Sequence, residues 1–67
     1  MKIILNHKEE TIDADTLTLA ELIRLKKFTF RILVTKVNGR VVKAEDRDNI
    51  WIKDGDNVEV IHLISGG

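Results

Sequence analysis

The sequence predicts an α+β roll, in which a mixed sheet of four to five strands packs on one helix. Three observations predict it: an alternating apolar strand at the start, a helix with a capping signal, and several strand-like runs afterwards. The chain has 67 residues, enough for one domain near the lower size limit for a self-sufficient core. Because it contains no cysteine, regular packing rather than disulfide bonding must stabilise that core.

The first two strands are predicted to form a hairpin. Met1, Ile3 and Leu5 alternate with residues of the opposite face, so a strand over the first six residues has one buried face. A return strand over "HKEETI" would bring Ile12 to the same apolar face. Neither a glycine nor an Asn-Gly pair marks the turn between them.

The segment "LTLAELIRLKK" carries the clearest local signal, which is that of a helix. Thr18 and Glu21 have the spacing of a capping box, in which each side chain accepts the main-chain N–H of the other residue. We expect the helix to end near Phe28, and Phe28 and Phe30 to anchor the following loop to the core. The helix stripe expected to be buried consists of Leu19, Leu22 and Ile23.

A second hairpin follows in "RILVTKVNGRVV". Asn38 and Gly39 suit a type I′ turn, because both of its central residues need positive φ. In the strand before the turn, Leu33 and Val37 are expected to point inward, which leaves Thr35 as a semi-buried polar residue on a core strand.

The segment between this hairpin and the last strand is irregular and acidic. Asp54 and Gly55 mark another turn in it. Residues 50–52 are three apolar residues in a row and are predicted to form a short buried segment. We expect Trp51, the only tryptophan, to lie in the core.

The last strand, "VEVIHLI", is predicted to have one buried and one solvent-facing side. Val58, Val60 and His62 share the face expected to point inward, and His62 is expected to pack there. Ile61 and Leu63 share the opposite face with a charged residue and therefore point outward. Two neighbouring exposed apolar residues form a candidate partner-docking surface.

Charge and composition disfavour several classes of function. Eleven basic residues balance eleven acidic ones, although residues 22–44 hold seven basic side chains and no acid. Such a stretch can indicate nucleic-acid binding, but overall neutrality and only three aromatic residues favour an ordinary solvated surface. Two isolated histidines without cysteine predict no metal site. The N-terminal apolar run is too short for a signal peptide or a membrane span, so we expect a cytoplasmic protein without membrane or nucleic-acid partners.

Three segments resemble the ThiS family, the sulfur-carrier proteins of thiamine biosynthesis. They are "TLTLAELI", "VNGRVV" and "IKDGDNVEVIHLISGG", and the resemblance covers essentially the whole chain. It implies the β-grasp fold of ubiquitin-like proteins, with a domain over residues 1–64 and a flexible C-terminal Gly-Gly tail over residues 65–67.

The resemblance also implies a function: a carrier acted on by other proteins rather than an enzyme. Its site would be Gly67, whose carboxylate is adenylated and then converted to a thiocarboxylate, with Ser65 and Gly66 completing the tail. The carrier itself binds no cofactor, and ATP is used by the activating partner. The implied partners are an adenylating ThiF-like enzyme, thiazole synthase, and a sulfur donor such as a cysteine desulfurase.

Other functions remain open at this point. The small subunit of molybdopterin synthase is a close relative of these carriers, and a ubiquitin-like modifier would be conjugated to lysines through Gly67. A plain interaction module with an incidental Gly-Gly end is a third alternative. The chain also lacks the glycine that the carriers often have before the helix, and a proline after the central hairpin.

Overall fold

A computed structural model of the chain describes residues 1–29 and 32–63. Phe30, for which a contact with the core is predicted, lies outside the described residues. The elements in chain order are β1 (Lys2–Leu5), β2 (Lys8–Thr11), β3 (Thr16–Thr18), α1 (Leu19–Leu25), β4 (Leu33–Val37), β5 (Arg40–Val42), a 3-10 helix (Ala44–Asn49), β6 (Trp51–Lys53) and β7 (Asn57–His62).

The main sheet has five strands in the order β2-β1-β7-β4-β5. β1 runs parallel to β7, and all other neighbours are antiparallel, which makes the sheet mixed. A second, two-stranded sheet joins β3 to β6. The predicted α+β architecture is therefore confirmed. The small sheet and the 3-10 helix were not predicted, because both lie in segments of three to six residues without periodicity.

The core lies where α1 and the inner face of the main sheet meet. The alternation predicted for β1 is correct: Ile3 and Leu5 are buried, and Ile12 is buried with them. Leu19 and Leu22 of α1 are completely buried, and Ile23 packs against them half-buried. Residues of β7 and β6 complete the same cluster, namely Val58, Val60 and Ile52.

The capping box at the start of α1 is present as predicted. The Glu21 N–H donates to Thr18 Oγ1 at 3.1 Å, and the Thr18 N–H donates to Glu21 Oε1 at 3.0 Å. The Thr18 hydroxyl also donates to Glu21 Oε1, at 3.0 Å. The Thr18 N–H first, and then this hydroxyl, hold the pKa of the Glu21 carboxyl below its usual value. The cap is therefore formed at neutral pH and weakens as the pH falls through that lowered pKa.

α1 ends at Leu25, three residues before the predicted end at Phe28. Lys27 adopts a positive φ of 58°, and the Phe28 N–H donates to the Ile23 carbonyl at 3.0 Å. Together with the Lys27 N–H donating to Arg24 this is a Schellman motif, with lysine where glycine is usual. Phe28 packs half-buried against the core and so anchors the chain after the helix, as predicted.

Both hairpin turns use left-handed residues. Asn38 and Gly39 have φ values of 51° and 84°, which confirms the type I′ prediction. The first hairpin achieves the same result without glycine, since Asn6 and His7 have φ values of 50° and 69°. Asparagine tolerates this region better than most residues, and no Asn-Gly pair was present to indicate it.

The prediction for Trp51 is wrong, because its side chain is 59% exposed. β6 pairs with β3 so that Ile52 lies opposite Leu17, and Ile52 is completely buried. Neighbouring residues of a strand point to opposite faces, so Trp51 must point outward. Because residues 50–52 are all apolar, the sequence did not indicate which of them would be buried in the core.

Two further predictions about burial need correction. His62 was expected to pack on the inner face, but it is exposed at the end of β7, beyond the edge of the core. Thr35 was expected to be semi-buried and is completely buried. Its hydroxyl donates to the Val42 carbonyl at 2.7 Å and accepts from Arg47 Nε at 3.2 Å, so burial leaves no hydrogen-bonding capacity unsatisfied.

Candidate functional site

The predicted reactive end of the chain follows directly from β7, the central strand of the main sheet. β1 pairs with the first half of β7, and β4 pairs with it as far as Leu33 opposite His62. The Leu63 N–H then donates to the Ile32 carbonyl at 3.1 Å. Ser65, Gly66 and Gly67 lie outside the described residues, so their roles and the domain boundary at residue 64 stay predictions.

The side chain of Asn6 holds the second half of β7 after β1 has ended. Its Oδ1 accepts the Val60 N–H at 2.8 Å, and its Nδ2 donates to the Val60 carbonyl at 3.1 Å. The Asn6 main-chain N–H also donates to the Val58 carbonyl at 2.9 Å. The amide therefore replaces the strand residue that would have followed Leu5. This contact joins residues 54 positions apart. The only signal for it in the sequence is an asparagine at the end of a strand.

Asp56 performs a similar task at the start of β7. It is buried, its Oδ1 accepts from Asn38 Nδ2 at 3.1 Å, and its Oδ2 accepts the Lys53 N–H at 2.9 Å. Asn38 Oδ1 in turn accepts the Asn57 N–H at 2.9 Å. The second aspartate of the Asp-Gly-Asp run thus connects the central hairpin to β7. The sequence indicated only a turn here, with Gly55 at a φ of 88°.

The outward direction predicted for the two docking residues agrees with their exposure. Ile61 is 43% exposed and Leu63 is 53% exposed. Val34 of β4 lies opposite Ile61, and Lys36 lies opposite Glu59 two pairs further along, on the same face of the sheet. We refer to Val34, Ile61 and Leu63 as the outer patch. Its docking role stays a prediction, because exposure alone does not identify a partner.

Among the described residues, the other groups capable of chemistry do not assemble into a site. His7 is exposed in the β1–β2 turn and His62 lies on β7. Within residues 1–29 and 32–63, no group of three or more His, Cys, Asp or Glu side chains could hold a metal ion. Over the same ranges, neither helix has the length and apolar character that crossing a membrane requires.

A five-stranded mixed sheet with one helix on its inner face, and with the last strand at its centre, defines the ubiquitin-like β-grasp class. Within that class the chain belongs to the ThiS family, which it matches over residues 2–67. Both the predicted fold and the predicted family are therefore confirmed.

Two solved structures support the same assignment. A crystal structure of thiamine biosynthesis protein ThiS from Geobacter metallireducens is 33% identical, with a TM-score of 0.90 and full coverage of both chains. An NMR solution structure of a thiamine biosynthesis protein from Geobacter metallireducens is also 33% identical, with a TM-score of 0.83. The match to it covers all of this chain and 88% of the other.

Proposed function

We propose that this chain is a cytoplasmic sulfur carrier for the thiazole of thiamine, with the Gly67 carboxylate as its reactive group. The observation that carries the proposal is the pairing of a ThiS-family β-grasp domain with a sequence that ends in Ser65, Gly66 and Gly67. The described residues contain neither a metal-ligand cluster nor a cysteine nucleophile. The terminal carboxylate is therefore the group best placed for acyl chemistry on a partner enzyme.

The proposed chemistry has two steps. The Gly67 carboxylate, which is ionised at neutral pH, attacks the α-phosphate of ATP on a ThiF-like enzyme, giving an acyl-adenylate and pyrophosphate. A sulfur nucleophile from a donor such as a cysteine desulfurase then attacks the acyl carbon and displaces AMP. When that nucleophile is a persulfide, this second step first forms an acyl disulfide. A thiol then attacks the donor's sulfur in it, so that a new disulfide forms on the donor and the Gly67 thiocarboxylate is released for thiazole synthase. ATP is bound by the activating partner and not by the carrier.

Chain geometry supports a mechanism in which the partner enzyme binds ATP and the carrier supplies only its C-terminal residues. The main-chain N–H of Leu63 donates to the carbonyl of Ile32, the residue directly before β4, and so holds Leu63 in place. The four residues after it span at most about 14 Å when extended, which is enough to enter a partner's active site while the domain stays outside. Glycine has no Cβ, so the final two residues fit a channel narrow enough to exclude water from a hydrolysable mixed anhydride. We refer to residues 64–67 as the arm. Asn6 and Asp56 hold β7, the strand that leads to the arm, near its two ends.

The outer patch is the proposed docking surface for the activating enzyme. Ile61 lies on β7 and Leu63 directly after it, so docking there would fix the starting point of residues 64–67 relative to the partner's active site. Ile61 and Leu63 offer exposed apolar area next to the arm, and the Lys36–Glu59 pair borders it with polar groups. Apolar centres with polar rims are the usual anatomy of protein interfaces.

Ile61→Asp is expected to weaken binding of the activating enzyme at least about tenfold, because a charge replaces an apolar contact at the centre of the patch. The domain should stay folded, since Ile61 is already partly in water. Calorimetric titration and thermal unfolding would measure both effects. Leu25→Asp is the matched control, because Leu25 is 56% exposed on α1, on the other side of the sheet. Equal affinities for the two variants would contradict the docking proposal.

Intact-mass analysis tests the proposed function itself. After incubation with ATP, a ThiF-like enzyme, a cysteine desulfurase and cysteine, the mass should rise by about 16 Da, since sulfur replaces oxygen at the chain end. Higher-mass protein adducts would instead favour a modifier joined to lysines. As a positive control, the same ThiF-like enzyme is tested on the carrier of its own organism. If that carrier gains the mass and this chain does not, the carrier proposal is contradicted. If the cysteine carries ³⁵S, transfer of the label to thiazole synthase rather than to a molybdopterin synthase large subunit would identify the branch.

A further inference from the structure

A groove of about 550 Å³ lies between β5 and β6, on a different part of the surface from the outer patch. β5 is an edge strand of the main sheet and β6 belongs to the small two-stranded sheet, so within residues 1–29 and 32–63 each has one unpaired side. The register places Val37 of the β4–β5 hairpin opposite Val58, at the start of β7. The groove is therefore near the end of the sheet opposite to the arm, and the proposed carrier chemistry does not use it.

The unpaired edges leave main-chain groups available along the groove. Val37 and Arg40 flank a two-residue turn and exchange hydrogen bonds, so the N–H and C=O of Val41 point away from β4. The Leu19 N–H donates to the Ile50 carbonyl, so by the same alternation the groups of Trp51 point away from β3. No turn or loop hydrogen bond in residues 1–29 and 32–63 uses these groups of Val41 and Trp51.

The other edge of the main sheet, β2, shows how different the β5 edge is. β2 has the sequence Lys-Glu-Glu-Thr, and its charged side chains protect an edge against pairing with another chain. β5 has the sequence Arg-Val-Val, with Val41 65% exposed and the exposed indole of Trp51 close by in the same groove. An exposed tryptophan beside an unprotected edge is typical of a surface that another chain covers.

The charges of the groove are predominantly positive. Arg40 and Lys53 are exposed in its lining, and neither takes part in the ion pairs found among the described residues. Asp56, the one acid among the described residues that line the groove, is buried, and its two oxygens already accept hydrogen bonds from Asn38 Nδ2 and the Lys53 N–H. A bound segment would therefore meet two cations without a matching exposed anion.

We propose that this groove binds a short, extended, acidic segment of a partner protein, which adds to the sheet as a strand along β5. The segment's main chain would hydrogen-bond to the free N–H and C=O of Val41, and its acidic side chains would pair with Arg40 and Lys53. An apolar side chain between them would pack on the indole of Trp51. A peptide main chain matches the paired N–H and C=O of a strand edge, whereas a nucleic acid offers no such pattern. A second copy related by two-fold symmetry would place like charges together.

The test is an NMR titration of the ¹⁵N-labelled full chain with two acetylated, amidated hexapeptides, one of alternating valine and glutamate and one of alternating valine and lysine. The acidic peptide should shift the amide signals of Val41 and the indole N–H of Trp51. Its dissociation constant should be at least about tenfold lower than that of the lysine peptide at low salt, and the difference should shrink at high salt. Amide exchange at Val41 should slow when the acidic peptide is bound.

Matched variants distinguish this groove from the rest of the surface. Arg40→Glu should weaken the acidic peptide at least about tenfold, and Lys8→Glu, which makes the same change on the exposed face of β2, should not. Equal effects of the two variants, shifts confined to β2 or the outer patch, or equal affinity for both peptides would each overturn the proposal. Shifts of Val41 and Trp51 that depend on protein concentration without peptide would also overturn it, in favour of a second copy.

Discussion

Deleting Gly67 is expected to reduce ATP–pyrophosphate exchange on the activating enzyme at least about a hundredfold while leaving the domain folded. The deletion retracts the carboxylate that we propose to react by about 3.5 Å, and a misplacement of about 1 Å can cost about two orders of magnitude in rate. Because the main chain is fixed as far as Leu63, the domain cannot compensate without leaving the proposed docking surface. The expected effect is therefore on the rate of adenylation rather than on the affinity for the enzyme.

Two control variants distinguish the effect of shortening the arm from the effects of changing a side chain in the arm or weakening binding to the enzyme. Ser65→Gly keeps the carboxylate at residue 67 and should exchange at nearly the wild-type rate, since only a side chain of the tail is lost. Ile61→Asp should weaken binding, and saturating amounts of carrier should restore its rate, whereas the truncated chain should stay inactive at saturation. Wild-type exchange by the truncated chain, with thermal unfolding unchanged, would contradict the assignment of Gly67 as the reactive residue.

The features of the fold that could be predicted are those encoded over short distances in the sequence. Thr18 and Glu21 are three residues apart, so the start of α1 was evident before any tertiary contact was known. Asn38 and Gly39 determined a turn by their own conformational preferences. Alternation also predicted the directions of the side chains in β1 and β7, because period two is a property of a strand itself.

The features that could not be predicted depend on pairing between distant segments. β6 is three residues long, and only its pairing with β3 makes Ile52 the buried residue and Trp51 the exposed one. His62 alternates correctly but lies beyond the core, and the extent of a core cannot be read from one strand. At the candidate site, alternation predicted the exposure of Ile61, whereas the tail stays a prediction. Asn6 was missed because its partner, Val60, is remote in sequence.

Asp56→Ala is expected to lower the free energy of unfolding by about 2–4 kcal/mol, because two donors lose their acceptor at a buried position. The donors are Asn38 Nδ2 and the Lys53 N–H, and Asp56 itself is only 6% exposed. In a domain of this size such a loss lowers the midpoint of thermal unfolding by at least about 10 °C. Asp48→Ala is the matched control: Asp48 is exposed on the 3-10 helix, and its replacement should change stability by less than about 0.5 kcal/mol.

Adenylation of Asp56→Ala tests whether Asp56 is purely structural or also contributes to docking or chemistry. Asp54, the first aspartate of the Asp-Gly-Asp run, provides a comparison. Asp54→Ala removes one hydrogen bond, from the Lys2 N–H at 2.7 Å on the exposed side, and should cost about 1 kcal/mol. If Asp56 acts only by connecting the hairpin to β7, then Asp56→Ala should be adenylated at the wild-type rate per folded molecule well below its unfolding midpoint. A rate that falls while the folded fraction is unchanged would show instead that the activating enzyme senses the start of β7, and the purely structural assignment would be wrong.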